Sequence, residues 1–354
     1  MQELEEKINL IEEEIKKTPY HKGTEHHIGL LKAKLAKFRE QLQEKSIKKA
    51  KGGGFAIPKV GDATCVLVGL PSVGKSTILA KLTAARPKIA PYPFTTLSVI
   101  PGILKYYGAS IQILDVPGLV GGAAIGIGRG REVLSIARVA NLLIIVAESA
   151  NFEQQKKQVL SELEENGIRI DKTSPKIIIK KLGSGGVKAI AGTDCGLAKN
   201  QIVSIAKELG LVNAEIQIKE RINQDDLIDA ILANRVYTRA IFVASKIDLA
   251  KFKKDGEVLP ICAPKNLGFE DLKEKIWQKL GLIRVYLAPV DAEADFENPL
   301  ILKYGSKIFE AAEKISRDLT TNLKSAQITR NNFKKTVSPN FTLQEGDILT
   351  FLTK

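Results

Sequence analysis

Aromatic residues are scarce in this chain. One tryptophan, seven tyrosines and twelve phenylalanines make up 6% of its 354 residues, while the hydrophobic share is 44%. Any core must therefore be built mostly from aliphatic side chains. Cysteine is equally sparse. Cys65, Cys195 and Cys262 are scattered without metal-ligand spacing, which excludes a disulfide framework and suits a reducing, cytoplasmic compartment. The only histidines are His21, His26 and His27. No fourth ligand stands near them, and the surface of a helix start explains the group better than zinc. No apolar run approaches the roughly 18 residues of a membrane span. The N-terminus is acidic and lacks an apolar h-region, so no signal peptide is expected. Acidic residues are the minority charge: 40 Asp and Glu against 53 Lys and Arg give +13 and a pI near 9.4. That surplus favours an anionic partner such as RNA, a ribosome or a membrane surface. It is uneven, since residues 16–59 hold 12 Lys/Arg and 3 Glu whereas residues 1–15 are acidic. A merely solubilising basic helix is the plainer alternative. The length allows two to four modules.

What the chain does contain is a phosphate-binding pattern. Gly69-Leu70-Pro71-Ser72-Val73-Gly74-Lys75-Ser76-Thr77 fits G-x-x-x-x-G-K-[ST]. The apolar run Thr64–Val68 before it reads as a buried strand, and Ser76–Ala85 after it as a helix. In such a loop, glycines let backbone N–H groups turn onto phosphate oxygens. Lys75 adds a point charge, and the helix N-terminus a partial one. Ser76 offers a hydroxyl to a magnesium ion shared with the nucleotide.

The elements downstream choose the base. Asp115-Val116-Pro117-Gly118 reads as D-x-x-G at the end of an apolar strand, Ser110–Leu114. There Asp115 can hold a magnesium-bound water, and the Gly118 amide can meet the γ-phosphate. Between the two motifs lies Tyr92-Pro93-Phe94-Thr95-Thr96-Leu97. A threonine here, Thr96, can complete the magnesium shell with GTP bound and let go after hydrolysis; an ordinary proline-rich loop is the competing explanation. A further buried strand, Arg239–Ala244, ends in Ser245-Lys246-Ile247-Asp248, a variant of N-K-x-D. The Asp248 carboxylate can accept from the guanine ring N–H and exocyclic amine, which adenine cannot offer, so the site discriminates. Val258–Ala263 is a strand ending at Cys262-Ala263-Pro264, where a backbone N–H would meet the guanine carbonyl. Five elements in this order predict GTP and GDP as ligands.

With these motifs in view, the chain resembles the developmentally regulated GTP-binding (DRG) family, in the Obg-related branch of translation-factor-type GTPases. The likeness rests also on Thr18-Pro19, Gly29–Lys37, Gly52-Gly53-Gly54-Phe55, Tyr92–Leu97, Gly126–Val133 and, near the C-terminus, Ile283–Leu287. It spans nearly the whole chain, densest over about 20–145 and thinner after 290. The resemblance implies an α/β fold: a P-loop GTPase domain with a mostly parallel sheet and helices on both faces. To this it adds an N-terminal helical hairpin, an inserted small α/β domain resembling a small-subunit ribosomal-protein fold, and a C-terminal β-grasp (TGS) domain. It also implies work on ribosomes or ribosomal RNA and a small companion protein, with no membrane or DNA target, by a monomeric chain of the cytoplasm.

Three departures from the family pattern matter. Ser245 stands where Asn usually bonds the base and ties its loop to the P-loop, a loss expected to cost about 1 kcal/mol. Cys262 replaces Ser at a contact made mainly by backbone. Gly121–Ile125 lacks the charged residues associated with this switch. Phosphoryl transfer to water rests on positioning and charge stabilisation, here assigned to Lys75, Thr96, Gly118 and magnesium. Leu119 occupies the position of the usual water-orienting Gln, so slow intrinsic hydrolysis is expected. Potassium helps related GTPases through an Asn where this chain has Ser72. Arg129 and Arg131 either reach the γ-phosphate in cis or, the plainer reading, face solvent or ribosomal RNA.

The predicted organisation is a helical hairpin over 1–55, GTPase segments over 60–168 and 237–282, an α/β insertion over 169–236 and a TGS domain over 283–354. In the hairpin, Leu4, Ile8, Ile11 and Ile15 face Leu31, Leu35, Phe38 and Leu42 across Thr18-Pro19, leaving Lys32, Lys34, Lys37 and Arg39 toward solvent or RNA. The insertion is expected to hold strands at 176–180 and 215–218, helices near 199–209 and 224–234, and a basic turn from Lys180-Lys181 to Lys188 as an RNA-contact candidate. Phe269–Leu280 is a helix with Trp277 in the core. After the strand Ile283–Leu287 a loop, a helix near Ser306–Arg317 and strands near Gln327 and 347–352 are expected, with Lys334 and Lys335 either meeting RNA or solvated. Two functions fit: a GTP-hydrolysing switch on the translation machinery, or a nucleotide-regulated RNA-binding scaffold with incidental hydrolysis.

Overall fold

The structure is a computed structural model that describes residues 2–49, 60–83, 90–91, 98–116, 140–192, 194–250, 256–290 and 292–353. These residues divide between two compact units. One holds the N-terminal helices and the segment 163–237, and the other holds most of the remainder.

In the larger unit, β1 (Ala63–Val68), β4 (Ala109–Asp115), β5 (Leu142–Glu148), β10 (Val236–Ser245) and β11 (Leu259–Pro260) pair in parallel. With β2 (Ala90–Pro91) and β3 (Ser98–Tyr106), the sheet runs β11-β10-β5-β1-β4-β3-β2, its last pairs antiparallel. β1 is buried along its full length, and so is β5 apart from its final residue. Continuous burial is what a parallel strand covered on both faces requires. Helices α3 (Lys75–Leu82) and α7 (Phe269–Leu280) share one core with these strands, closed by Ile78, Leu79, Leu272, Ile276 and Trp277. The helix α4 (Phe152–Glu165) follows β5, and the short strand β6 (Ile168–Ile170) follows α4. The helix expected over Ser76–Ala85 is α3, which ends at Leu82, with residues 84–89 outside the described ones.

A second sheet follows, made of β12 (Leu282–Leu287), β13 (Asp295–Lys303), β14 (Leu323–Arg330), β15 (Phe333–Val337) and β16 (Ile348–Thr353). Its order is β13-β12-β16-β14-β15, with β12 and β16 parallel at the centre. One face is covered by the short helix α8 (Ile308–Ile315), whose Ile308, Ala311 and Ala312 are buried; a further turn, α9 (Arg317–Asn322), follows. This is a β-grasp layout. Where a loop was expected after Leu287, the chain forms β13. Its Pro299 hides the strand from sequence reading, yet β13 is an edge strand, where a missing N–H is tolerated.

In the other unit, α1 (Gln2–Lys17) packs along α2 (Glu25–Lys49), with Leu4, Ile8, Ile28 and Leu31 buried. The insertion contributes β7 (Ile177–Lys181), β8 (Val187–Ala191) and β9 (Ala214–Ile218), ordered β7-β9-β8, with α5 (Lys199–Glu208) and α6 (Gln224–Leu232). Strand β8 was not foreseen. The hairpin is not independent of this insertion, because Ala33 on α2 is fully buried in the insertion's core with Ile202, Ile205 and Leu227. That docking corrects the expectation for the basic face of α2. Lys32 pairs with Asp225 at 2.8 Å, Lys37 donates to the Glu208 carbonyl at 2.7 Å, and Arg39 pairs with Glu12 at 2.8 Å. Lys34 is the one of the four that stays exposed.

Candidate nucleotide site

The phosphate loop leaves β1 between β5 and β4, the strands on either side of it. Its first residue has no room for a side chain: a Cβ on Gly69 would lie 2.3 Å from the Val146 carbonyl oxygen. Ser72 at φ 65° and Gly74 at φ 93° turn the backbone through the left-handed region before α3 begins. Val73 is buried beneath the loop, whereas Pro71, Ser76 and Thr77 are exposed. Lys75 is buried, and its Nζ donates to the carbonyls of Gly69 and Leu70 at 2.9 and 2.8 Å. Burial pulls its pKa below the ordinary lysine value, with Asp115 opposing.

Ser76 Oγ donates to Asp115 Oδ2 at 2.5 Å, which joins the start of α3 to the end of β4. The other carboxylate oxygen, Asp115 Oδ1, is buried without a hydrogen-bond partner among the described residues. A hard oxygen left in this way beside a hydroxyl fits the donor set of a magnesium ion or its bound water. Val116 follows, buried. Phe94, Thr95, Thr96, Pro117 and Gly118 lie outside the described residues, as do Leu119, Gly121–Ile125, Arg129 and Arg131.

The base-recognition segment stands at the end of β10. Ser245 is buried, and its Oγ lies 2.7 Å from the Val73 carbonyl and 3.2 Å from that of Ala147. The serine therefore keeps the tie to the P-loop that the sequence comparison with Asn suggested was lost. Lys246 follows at φ 56°, a left-handed turn that leaves Asp248 exposed. Two residues that sequence reasoning missed hold this turn. Glu148 forms an ion pair with Lys246, and Ser149 Oγ donates to the Lys246 carbonyl at 3.0 Å. Glu148 and Lys246 are 98 positions apart, and no local pattern marks them. The third loop is held against the second by Ile261 N–H donating to Ala244 O at 2.8 Å. Cys262 is buried and exchanges backbone hydrogen bonds with Leu267, with Ala263 half-buried and Pro264 exposed beyond it. The described parts of the P-loop, the aspartate strand and the two base loops thus come together at the carboxyl ends of the parallel strands, where ligands of open α/β sheets bind.

Of the histidines, His27 meets Glu14 at 3.0 Å, His21 Nδ1 accepts from the Gly23 amide at 3.2 Å, and His26 Nδ1 is buried without a hydrogen-bond partner among the described residues. No cluster of metal-ligating residues occurs among the described residues, and no described helix is long and apolar enough to cross a membrane.

Residues 64–181 match the family described as a 50S ribosome-binding GTPase, and residues 184–282 match the C-terminal region of that domain. Residues 283–353 match the TGS domain. An uncharacterised GTP-binding protein of Methanocaldococcus jannaschii is 41% identical over 99% of this chain and 93% of its own length. GTP-binding protein 1 of Schizosaccharomyces pombe is 39% identical over 99% of both chains. Developmentally-regulated GTP-binding protein 2 of Homo sapiens is 38% identical, again over 99% of both. Likeness of that strength along the whole length settles the kinship: the chain belongs to the developmentally regulated GTP-binding protein family, GTP-hydrolysing enzymes that carry a C-terminal TGS domain.

Proposed function

We propose that this GTPase is a cytoplasmic switch acting on the translation machinery and gripping ribosomal RNA through its accessory modules. Gly69–Thr77 take the nucleotide phosphates, and Lys75 supplies charge at the terminal ones. Ser76, Asp115 through a water, and Thr96 hold magnesium, which when bound neutralises charge on the phosphates. Asp248 reads guanine, Ser245 fixes its loop, and the backbone at Cys262-Ala263-Pro264 closes over the base. Thr96 and Gly118 follow the γ-phosphate and release on hydrolysis. Leu119 cannot orient water, so intrinsic turnover is slow and a partner or a cation supplies the missing help. Comparing single-turnover rates in potassium and sodium decides whether that cation is potassium.

The observation that carries the ribosomal reading is the distribution of charge on the insertion. Residues 172–193 contain five lysines and no acid, and Lys180, Lys181 and Lys188 are exposed around the β7–β8 turn. The test is co-sedimentation with ribosomes at physiological salt, with a non-hydrolysable GTP analogue against GDP. Stronger binding in the analogue state is expected. Equal binding that fades with salt would mean a merely sticky basic surface, and the scaffold reading, which Leu119 already favours, would replace the switch.

A further inference from the structure

We propose that the β14–β15 hairpin of the C-terminal domain is a stacking site for single-stranded RNA, with the Phe333 ring on a base, Lys335 on the same face meeting a neighbouring phosphate, and Lys334 reaching a further phosphate from the other face of the edge strand. The proposal rests on the RNA reading above and gives it a second, chemically distinct contact. Phe333 is 80% exposed and belongs to none of the described hydrophobic clusters. It opens β15, an edge strand of the sheet. Asn331 at φ 50° and Asn332 at φ 66° form the two-residue turn before it, between the paired Arg330 and Phe333. Two left-handed residues make the tight turn that matches strand twist, so the ring is presented on a defined support. The turn end of the hairpin is pinned as well. Arg330 meets the fully buried Asp347 through two bonds, 2.7 and 2.8 Å, and lies over the Phe341 ring at 5.4 Å.

Arg330 is thereby neutralised, but Lys334 and Lys335 are exposed and have no ion-pair partner among the described residues. From Leu319 to Gln344 the chain carries Lys324, Arg330, Lys334 and Lys335 and no acid. The opposite edge strand, β13, exposes Asp295 and Glu297, so the sheet is polarised and its β15 edge is the phosphate-seeking one. Two adjacent lysines on an edge discourage pairing with a further strand. An exposed ring beside unpaired ammonium groups is the combination that grips single strands, since every base has a face to stack. Phe333 and Lys335 point to the same side, about 6.6 Å apart along the strand, and so can engage one base and a neighbouring phosphate.

The test is binding of a labelled oligouridine and of an RNA duplex of equal length to the full-length protein, each across a salt series. Phe333→Ala and Phe333→Leu should weaken oligouridine binding by roughly five- to a hundredfold, the range for loss of one stacked base, with the salt slope unchanged. Phe333→Trp should keep affinity, and its fluorescence should be quenched by the RNA. Lys334→Gln with Lys335→Gln should lower the salt slope by about 1.4, near 0.7 per lost phosphate contact. All variants should unfold at the wild-type temperature. Wild-type affinity in Phe333→Leu overturns the stacking site while leaving the broader RNA reading intact. If the wild-type protein binds no RNA at physiological salt, both fall. If Phe333→Ala instead breaks up a self-associated form of the chain, the ring is a protein contact and the proposal is overturned.

Discussion

Ser245 offers one hydrogen to two carbonyls, Val73 O and Ala147 O, in a buried place. Removing it takes a buried donor away from these carbonyls, and a lost hydrogen bond of this kind costs about 1 kcal/mol. The penalty should appear in two measurements. Ser245→Ala should lower the stability by about that amount. It should also weaken GDP binding by up to about tenfold, because the loop presenting Asp248 loses its tie to the phosphate loop. Guanine preference should survive. Asp248 still faces two donors in guanine and none in adenine, a hydrogen-bond contrast worth at least about a hundredfold. A competition titration of GDP against ADP checks this, and equal affinities in the wild-type protein would remove Asp248 from its role. The same residue shows what sequence could and could not reveal. A serine in an Asn position reads as a deficit in one dimension. Only the fold shows the hydroxyl lying under the P-loop backbone, within reach of a carbonyl 172 positions away.

Among the elements, helix α2 has a small residue where it meets the insertion. Ala33 has no exposed surface and packs among Ile202, Ile205 and Leu227, while Gly29 lies so close to Gln224 that a Cβ would come within 2.9 Å of its amide group. Ala33→Leu should therefore overpack this contact and cost about 1–3 kcal/mol, seen as earlier thermal unfolding of the hairpin and insertion together. A change at Lys34, which is exposed, should leave that transition in place. The helices themselves were legible: their apolar spacing, the Thr18-Pro19 break and the run Phe269–Leu280 all match the structure. So were the strand β1 and the mostly apolar second half of β10. Two of the strands that escaped reading, β3 and β13, carry breakers. β3 contains Pro101-Gly102, and its glycine is needed because a Cβ there would come 2.6 Å from the Thr83 methyl group. β13 contains Pro299, which instead packs close to Gly108. In both, long-range packing overrides local propensity. The basic face of α2 was misjudged for a related reason, since periodicity finds a polar face without showing what later segment of chain will cover it.

Over the whole molecule, the GTPase sheet and the C-terminal β-grasp sheet belong to one compact unit, and their cores are continuous at the first two β-grasp strands. Leu282 and Ile301 belong to the buried cluster that also holds β1, α3 and Trp277. Tyr107, in the tight turn between β3 and β4, forms a T-shaped pair with Trp277 with ring centroids 5.4 Å apart, and the Arg284 guanidinium of β12 lies 4.7 Å from the centre of the Tyr107 ring. Tyr106 beside it donates to Glu274 of α7 at 3.0 Å, and burial is the first cause raising its pKa. The strands leading to this joint are the ones that border the nucleotide site: β4 ends at Asp115, which pairs across the ladder with Ile100 of β3. The hairpin and insertion have a core of their own. A ligand stabilises whatever unfolds cooperatively with its site, by about 2.7 kcal/mol at a hundred times its dissociation constant. Saturating GDP and magnesium should therefore slow hydrogen exchange in the buried amides of β1 and α3 and, by a comparable factor, in those of β12 and β16. Amides of β9 and α5 should change little. Arg284→Ala together with Tyr107→Ala should uncouple the two sheets, leaving protection at the phosphate loop but not at β12. If β12 and β16 ignore the nucleotide in the wild-type protein while β1 responds, the shared core does not make the two sheets one cooperative unit, and the C-terminal domain must learn the state of the site from a bound partner instead.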